Sequence, residues 1–372
     1  MKSKKTIFAV IILVTFILVV NTGCVANTIK NPMDNPPVAQ VEPTAAPAET
    51  DKAENTDEKE NNDTQTPIDY EKTKPNENGK IMLLMYHGID NNESEWVRTP
   101  DNFRKDLQTL YDKGYRVISL KDYINNNINV EAGFTPVVLT FDDGLLNQFN
   151  LIEENGEKRI DPNCAVGIME EFFKNHPDFG RGASFYVFYP VPFRQKELIK
   201  EKYEFLINNG YEIGNHGYNH ENLGKSTMEE VQKSLAGHAA NTAKYIEGFE
   251  VFSLALPYGA APKGDNYRYV ISGEYNGTSY NHRAVLKVGS NPAPAPNNAD
   301  FDPARLPRIR ASEMNTAGTG LYDWLAHFDK KPSERYISDG NPNTISIPEE
   351  ESSKLNPDAV KNKKVIIYNK AK

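Results

Sequence analysis

Cysteine is nearly missing from this chain: there are two in 372 residues, Cys24 and Cys164. A disulfide framework is thereby excluded, and any fold must rest on a packed apolar core. Long apolar runs are missing too. The longest, over residues 6–20, is about 15 residues, short of the roughly 20 that a membrane-crossing helix needs. Positive charge is also scarce, with 42 Lys and Arg against 51 Asp and Glu and a formal net charge of −9. That balance argues against nucleic acid as a partner, since phosphates need a basic face. What remains is ordinary globular material. With 38% hydrophobic and 10% aromatic residues, the chain can bury a substantial core in one large domain or two small ones.

The N-terminus departs from that texture. Three lysines within residues 1–5, the apolar run and then "NTGC" at 21–24 have the layout of a secretory signal peptide. Gly23 and Cys24 after such a run resemble the bacterial lipobox, although Asn21 stands where that motif usually has an aliphatic residue. The resemblance implies cleavage before Cys24 and a lipid on its thiol. Residues 25–78 are rich in Pro, Asn, Thr, Glu and Asp, without apolar periodicity, and read as a disordered tether. Some fifty such residues reach roughly 40 Å. The expected organisation is a signal over 1–23, lipidated Cys24 and linker over 24–78, a folded domain over 79–330 and a C-terminal extension over 331–372. The protein is expected outside the cytoplasm, anchored to the outer face of the cell membrane or secreted.

From residue 80 strands and helices alternate. "IMLLMY" at 81–86 is a continuous apolar run suited to a strand covered on both faces. Thr99 and Pro100 form an N-cap and first helical position, Phe103, Leu107, Leu110 and Tyr111 follow at helical spacing, and Gly114 closes the helix before "YRVISL". "KELIKEKYEFLINNGYEIG" repeats the sentence. A Ser226/Glu229 capping box is expected to open a further helix with Met228, Val231 and Leu235 on one face. Such repetition predicts an α/β fold with a mostly parallel sheet and helices outside, whose functional residues lie beyond the C-terminal ends of the strands.

The strand "PVVLTF" runs directly into Asp142, Asp143 and Gly144. Adjacent carboxylates at a strand end point in alternate directions, so one can bind a cation while the other stays free as a base. An isolated pair of this kind fits an aspartate-rich turn or helix cap equally well. About seventy residues later, however, "EIGNHGYNH" brings His216 and His220 to what a parallel architecture makes the same face. A carboxylate with two imidazoles is a usual ligand set for a catalytic divalent metal with open positions.

"TFDDG", "EIGNHGYNH" and "LALPYG" (254–259), in that order, resemble the polysaccharide deacetylases, the NodB-homology carbohydrate esterases of family four. The likeness covers roughly residues 80–330. It implies a distorted (β/α) barrel of about seven strands, one divalent metal ion (zinc, with cobalt and nickel suited to the same ligands) and hydrolysis of N-acetyl groups on an N-acetylated polysaccharide. By the same resemblance Asp143, His216 and His220 are the metal ligands, Asp142 the general base, and the backbone N–H of Tyr258 an oxyanion donor.

Departures from the family pattern fall at the acid and at the arginine that holds the base. For the acid the candidates are His87, directly after the first strand, and His327, in an "LAH" that reads as part of an amphipathic helix. Ala255 stands where the family has its arginine, so Arg308 or Arg310 is expected to reach Asp142 instead. Gly217 replaces the usual Ser/Thr of the histidine motif. Tyr86, Tyr218, Tyr258 and Trp324 are candidates for stacking on sugars, and the charged insertion at 149–163 is either a groove wall or a solvated loop. The alternative function is a tethered, catalytically silent glycan-binding protein on the same fold.

Overall fold

The computed structural model describes residues 68–369. The expected leader, Cys24 and the tether up to residue 67 lie outside the described residues. Strand β1 (Met82–Tyr86) is buried at every position, as its unbroken apolar run requires. It is joined in parallel by β2 (Tyr115–Val117), β3 (Thr135–Phe141), β4 (Ser184–Val187), β5 (Glu212–Asn215), β6 (Ser253–Ala255), β7 (Ala284–Leu286) and β8 (Ile309–Arg310) within one sheet. The spatial order is β7-β6-β5-β4-β3-β1-β8, with β2 pairing the first half of β3. Leu306 bridges Leu286 on β7, and three residues later Ile309 pairs with Leu84 on β1, so the chain before β8 draws the two edges toward each other. The result is the expected α/β architecture, a curled parallel half-barrel of seven strands in series with β2 as an eighth beside β3.

Five longer helices lie among the described residues: α1 (Pro100–Asp112), α2 (Ala165–Asn175), α3 (Ile199–Asn208), α4 (Met228–Tyr245) and α5 (Leu321–Lys330). Helix α1 begins as predicted, Thr99 Oγ1 accepting the N–H of Asn102 at 3.1 Å, and buries Phe103, Leu107 and Leu110. The cap of α4 sits one residue later than expected. Thr227, not Ser226, is the extended residue whose hydroxyl takes the N–H of Glu230, while Ser226 donates to the Asn222 carbonyl. Val231 and Leu235 still face the core.

The insertion is an antiparallel hairpin, Leu151–Glu154 with Glu157–Ile160, whose base is clamped by Gln195 through both Leu151 backbone groups. Residues 69–78, placed by the sequence in the tether, are structured: a short helix, Tyr70–Thr73, is followed by buried Asn76, Glu77 and Asn78. Asn76 pairs with Ile337, and within the C-terminal extension Thr344–Pro348 pairs in parallel with Lys364–Tyr368. No helix among the described residues is long and apolar enough to cross a membrane.

Candidate active site

The N–H of Asp142 bonds the Tyr86 carbonyl at 2.9 Å, carrying the β1–β3 ladder one residue past the strand. Asp143 and Gly144 then take left-handed backbones, φ +79° and +54°, which turn the chain and send the two carboxylates apart. Glycine suits position 144, where φ is +54° and a Cβ would press on Val187 at 3.0 Å. Asp143 there meets His216 and His220, which follow β5: its Oδ1 lies 3.4 Å from each Nε2, and the three candidate ligand atoms lie within 4.8 Å of one another.

This trio fits a divalent cation. His216 Nδ1 lies 2.8 Å from the Ala255 carbonyl, which accepts a hydrogen bond from it and leaves Nε2 facing Asp143. Ala255, where an arginine was missing, thus orients a ligand through its backbone. Burial holds the His220 pKa below its ordinary value, which keeps that imidazole a neutral donor. Asp143 is partly desolvated, which would raise its pKa, yet the hydrogen bond from His216 holds it below its ordinary value.

The histidine loop is braced from α4. Gly217 has φ +72°, and a Cβ there would come within 3.0 Å of Glu221 and 3.3 Å of Ser234. That space holds a Ser234 hydroxyl that accepts the Tyr218 N–H and donates to Glu221. The hydroxyl missing at 217 is therefore supplied by the helix. Asn215 adds a second brace, its Oδ1 accepting the Gly217 N–H and its Nδ2 lying 3.2 Å from His282 Nε2. Neither Ser234 nor Asn215 carries a local motif from which this role could be read.

Of the two candidate arginines, Arg308 reaches Asp142. Fully buried, its guanidinium donates to Oδ1 at 2.7 Å and Oδ2 at 2.6 Å, with further bonds to Thr140 Oγ1 and the Lys287 carbonyl. Burial alone would raise the Asp142 pKa, but the charges of Arg308 and His216 hold it well below the carboxylate range. Arg310 turns outward to Glu95 and the carbonyls of Met314 and Asn315.

His87 is half-buried after β1, within electrostatic reach of Asp142 and Asp143; burial lowers its pKa and the two aspartates partly restore it. Gln148 ties this corner together by donating to the carbonyls of both His87 and Asp142. His327 lies on α5 and pairs with Glu334 at 2.9 Å; none of its contacts involves the aspartates or their histidines. Tyr258 is 66% exposed at φ +57°, its ring 4.5 Å from that of His220. The other stacking candidates fare differently. Tyr86 is buried with its hydroxyl on Asp106, because the strand that carries it is covered on both faces. Tyr218 stacks on Tyr189, and Trp324 donates to the Ser290 carbonyl. Two exposed groups escaped the sequence: Arg194, 3.4 Å from the Asp143 carbonyl, and Trp96, against His87.

No curated protein matches the chain. Among solved structures it is similar to the Streptococcus pyogenes deacetylase PplD in complex with acetate (20% identity, 64% of this chain and 97% of that one, TM-score 0.46). It is also similar to a polysaccharide deacetylase from Bacillus cereus (18%, 66% and 68%, 0.48) and to IcaB from Ammonifex degensii (16%, 64% and 94%, 0.44). Residues 129–271, the stretch that carries Asp142, Asp143, His216, His220 and Tyr258, match the family model of the polysaccharide deacetylases.

Proposed function

We propose that the chain is a metal-dependent hydrolase that removes N-acetyl groups from an aminosugar polysaccharide, working outside the cytoplasm on a tether lipidated at Cys24. One observation carries this reading: an Asp-His-His donor set lies beside a second carboxylate, Asp142, locked by a buried arginine. Asp143, His216 and His220 would hold the ion. When bound, such an ion supplies Lewis acidity, polarising an amide carbonyl and lowering the pKa of a water it holds. Zinc is the expected ion, with cobalt or nickel suited to the same ligands.

Asp142 accepts a proton from the attacking water. Each carboxylate oxygen keeps a lone pair beyond the one engaged by Arg308, and the fork fixes where those lone pairs point. The same arginine keeps Asp142 ionised at every working pH. Its low basicity is the cost, so the water itself must be made acidic. The Tyr258 N–H donates to the carbonyl oxygen as charge grows there. His87 passes the proton that Asp142 took from the water to the amine as the C–N bond breaks, giving acetate and a free aminosugar.

Acetate release from β-linked N-acetylglucosamine oligomers, with and without a chelator, tests the reading. The expected result is a chelator-sensitive rate that disappears in Asp142→Asn. Glycan binding by the metal-loaded protein with no acetate released would favour the silent binding protein instead.

A further inference from the structure

Arg194 has no place in the chemistry above, although it stands at the rim of the same site. It lies in the loop between β4 and α3. Its guanidinium sits 4.6 Å from the centroid of Phe188, whose ring is 5.3 Å from that of His220. Nη2 donates to the Asp143 carbonyl at 3.4 Å and Nη1 to the Val191 carbonyl at 3.2 Å. Among the described residues these two backbone oxygens are its only hydrogen-bond acceptors, and no carboxylate side chain pairs with it. The rest of its five N–H groups are free to donate outward. The side chain is exposed, yet its charge is partly desolvated: burial draws the pKa down and the charge of Asp143 draws it back up.

The loop that presents this cation is held in a conformation it would not adopt alone. Phe193 and Arg194 are consecutive non-glycine residues with left-handed backbones, φ +54° and +56°. Strain of this kind persists where the surroundings over-determine the backbone. The Phe193 N–H donates to the Gly144 carbonyl at 2.8 Å, stapling the loop to the turn that carries Asp143. The Phe193 ring is fully buried against Phe149 and Phe185. Lys202 on α3, itself buried, donates to the carbonyls of Phe193 at 3.1 Å and Phe149 at 2.6 Å. The two bonds that Arg194 itself makes are long, and capping two carbonyls does not account for this much support.

Charge decides what such a cation meets. The chain carries a net charge of −9, and the site presents two aspartates, of which Arg308 balances one. A neutral glycan needs no cation at the edge of that site, whereas an acidic one is repelled without it. One guanidinium, with Asp143 close behind it, balances a single negative charge, and its planar fork matches a carboxylate. Resting on the deacetylase reading, we propose that Arg194 is a specificity residue that takes a carboxylate carried by the glycan beside the acetylated amine, so that acidic chains are the preferred substrates. The carboxylate belongs either to the acetylated ring, as an ether-linked acid, or to the neighbouring ring, as a uronic acid. Both present the same group to the same fork.

Two tetrasaccharides separate these sources. One alternates N-acetylglucosamine with N-acetylmuramic acid, the other N-acetylglucosamine with glucuronic acid, and each is compared with its own carboxamide. With the metal-loaded protein, kcat/KM for acetate release is expected to favour the acid over its amide about tenfold in at least one pair, and the pair that shows it locates the carboxylate. The ratio is expected to fall to near one in Arg194→Gln and to stay above it in Arg194→Lys, which keeps the charge and loses the fork. Equal use of acid and amide by wild type in both pairs would overturn the proposal. So would an Arg194→Gln protein that melts like wild type and keeps the ratio, since the arginine would then serve only to hold the Asp143 turn. Acetate release from N-acetylglucosamine oligomers but from neither pair would overturn it as well. Should wild type release acetate from none of these glycans, the proposed function fails. Calorimetric titration of the Asp142→Asn protein with each acid and amide then decides the inference by itself: tighter binding of an acid, lost in Arg194→Gln, upholds it, and equal affinities sink it.

Discussion

Arg308 and Asp142 form a fully buried ion pair in which one partner is, on the proposed function, also the base. Removing the guanidinium leaves an uncompensated carboxylate, a loss of about 3–5 kcal/mol, and frees the base to move, where a displacement of ~1 Å can cost about a hundredfold in rate. Arg308→Ala is therefore expected to lower both the melting temperature and acetate release, the latter by about two orders of magnitude. Arg308→Lys is expected to recover the stability better than the rate, because an ammonium keeps the charge and loses the fork. Differential scanning fluorimetry beside the acetate assay checks both. At the ligands the expectation is different in kind: Asp143→Ala and His216→Ala proteins should bind zinc weakly by calorimetry and lose the rise in melting temperature that a tightly bound ion gives wild type. That Asp142, Asp143, His216 and His220 come together was legible because each follows its strand within a few residues. Arg308 was legible only as one of two, since a long side chain crossing from another strand leaves no local trace. Trp96 was invisible, its exposure being decided by a loop that Arg98 and Asp106 anchor from a distance.

At the scale of elements, strand identity and order of types were readable from apolar runs, caps and glycines, whereas the sheet order and the bracing of the histidine loop by α4 were not. The cap of α4 shows why boundaries slip: Ser226 and Thr227 both precede an acid at the right spacing, and only backbone geometry chooses between them. Thr227→Ala is expected to cost about 1 kcal/mol and Ser226→Ala less, by urea denaturation. Two histidines behind the loop make a pH prediction. His238, on the Val187 carbonyl, has its pKa pushed by burial down to about 3, and His282, between Val270 and Asn215, down to about 4. Both folded values lie below the ordinary histidine value, so the unfolded chain takes up protons first. Their stability is fully present above about pH 6.5 and is lost as pH falls toward the folded values. In His238→Gln, which keeps a donor for Val187, the slope of unfolding free energy between about pH 6 and 4.5 should be shallower by about 1.4 kcal/mol per unit, one proton's worth.

Across the whole molecule, residues 69–78 and the segment beyond residue 330 close on each other at Glu77. This buried carboxyl accepts from the Tyr336 hydroxyl at 3.0 Å and the Ser346 N–H at 2.8 Å, and the Asn297 side-chain amide donates to the Glu77 backbone carbonyl. Burial, reinforced by the charge of Asp339, pushes the Glu77 pKa up to about 8 in spite of those donors. A folded value above the unfolded one has the opposite sign to the histidines. The contribution is complete below about pH 4.3 and is lost progressively as pH rises to the folded value, where the buried group must ionise. Because other groups titrate over the same range, the informative quantity is the difference between wild type and Glu77→Gln, an uncharged side chain of nearly the same shape. That difference should move against wild type by about 1.4 kcal/mol per unit between roughly pH 5 and 7.5 and level off above about 8. A flat difference over that interval, measured by urea denaturation, would mean that Glu77 is already ionised in the folded seam and that its donors outweigh its burial.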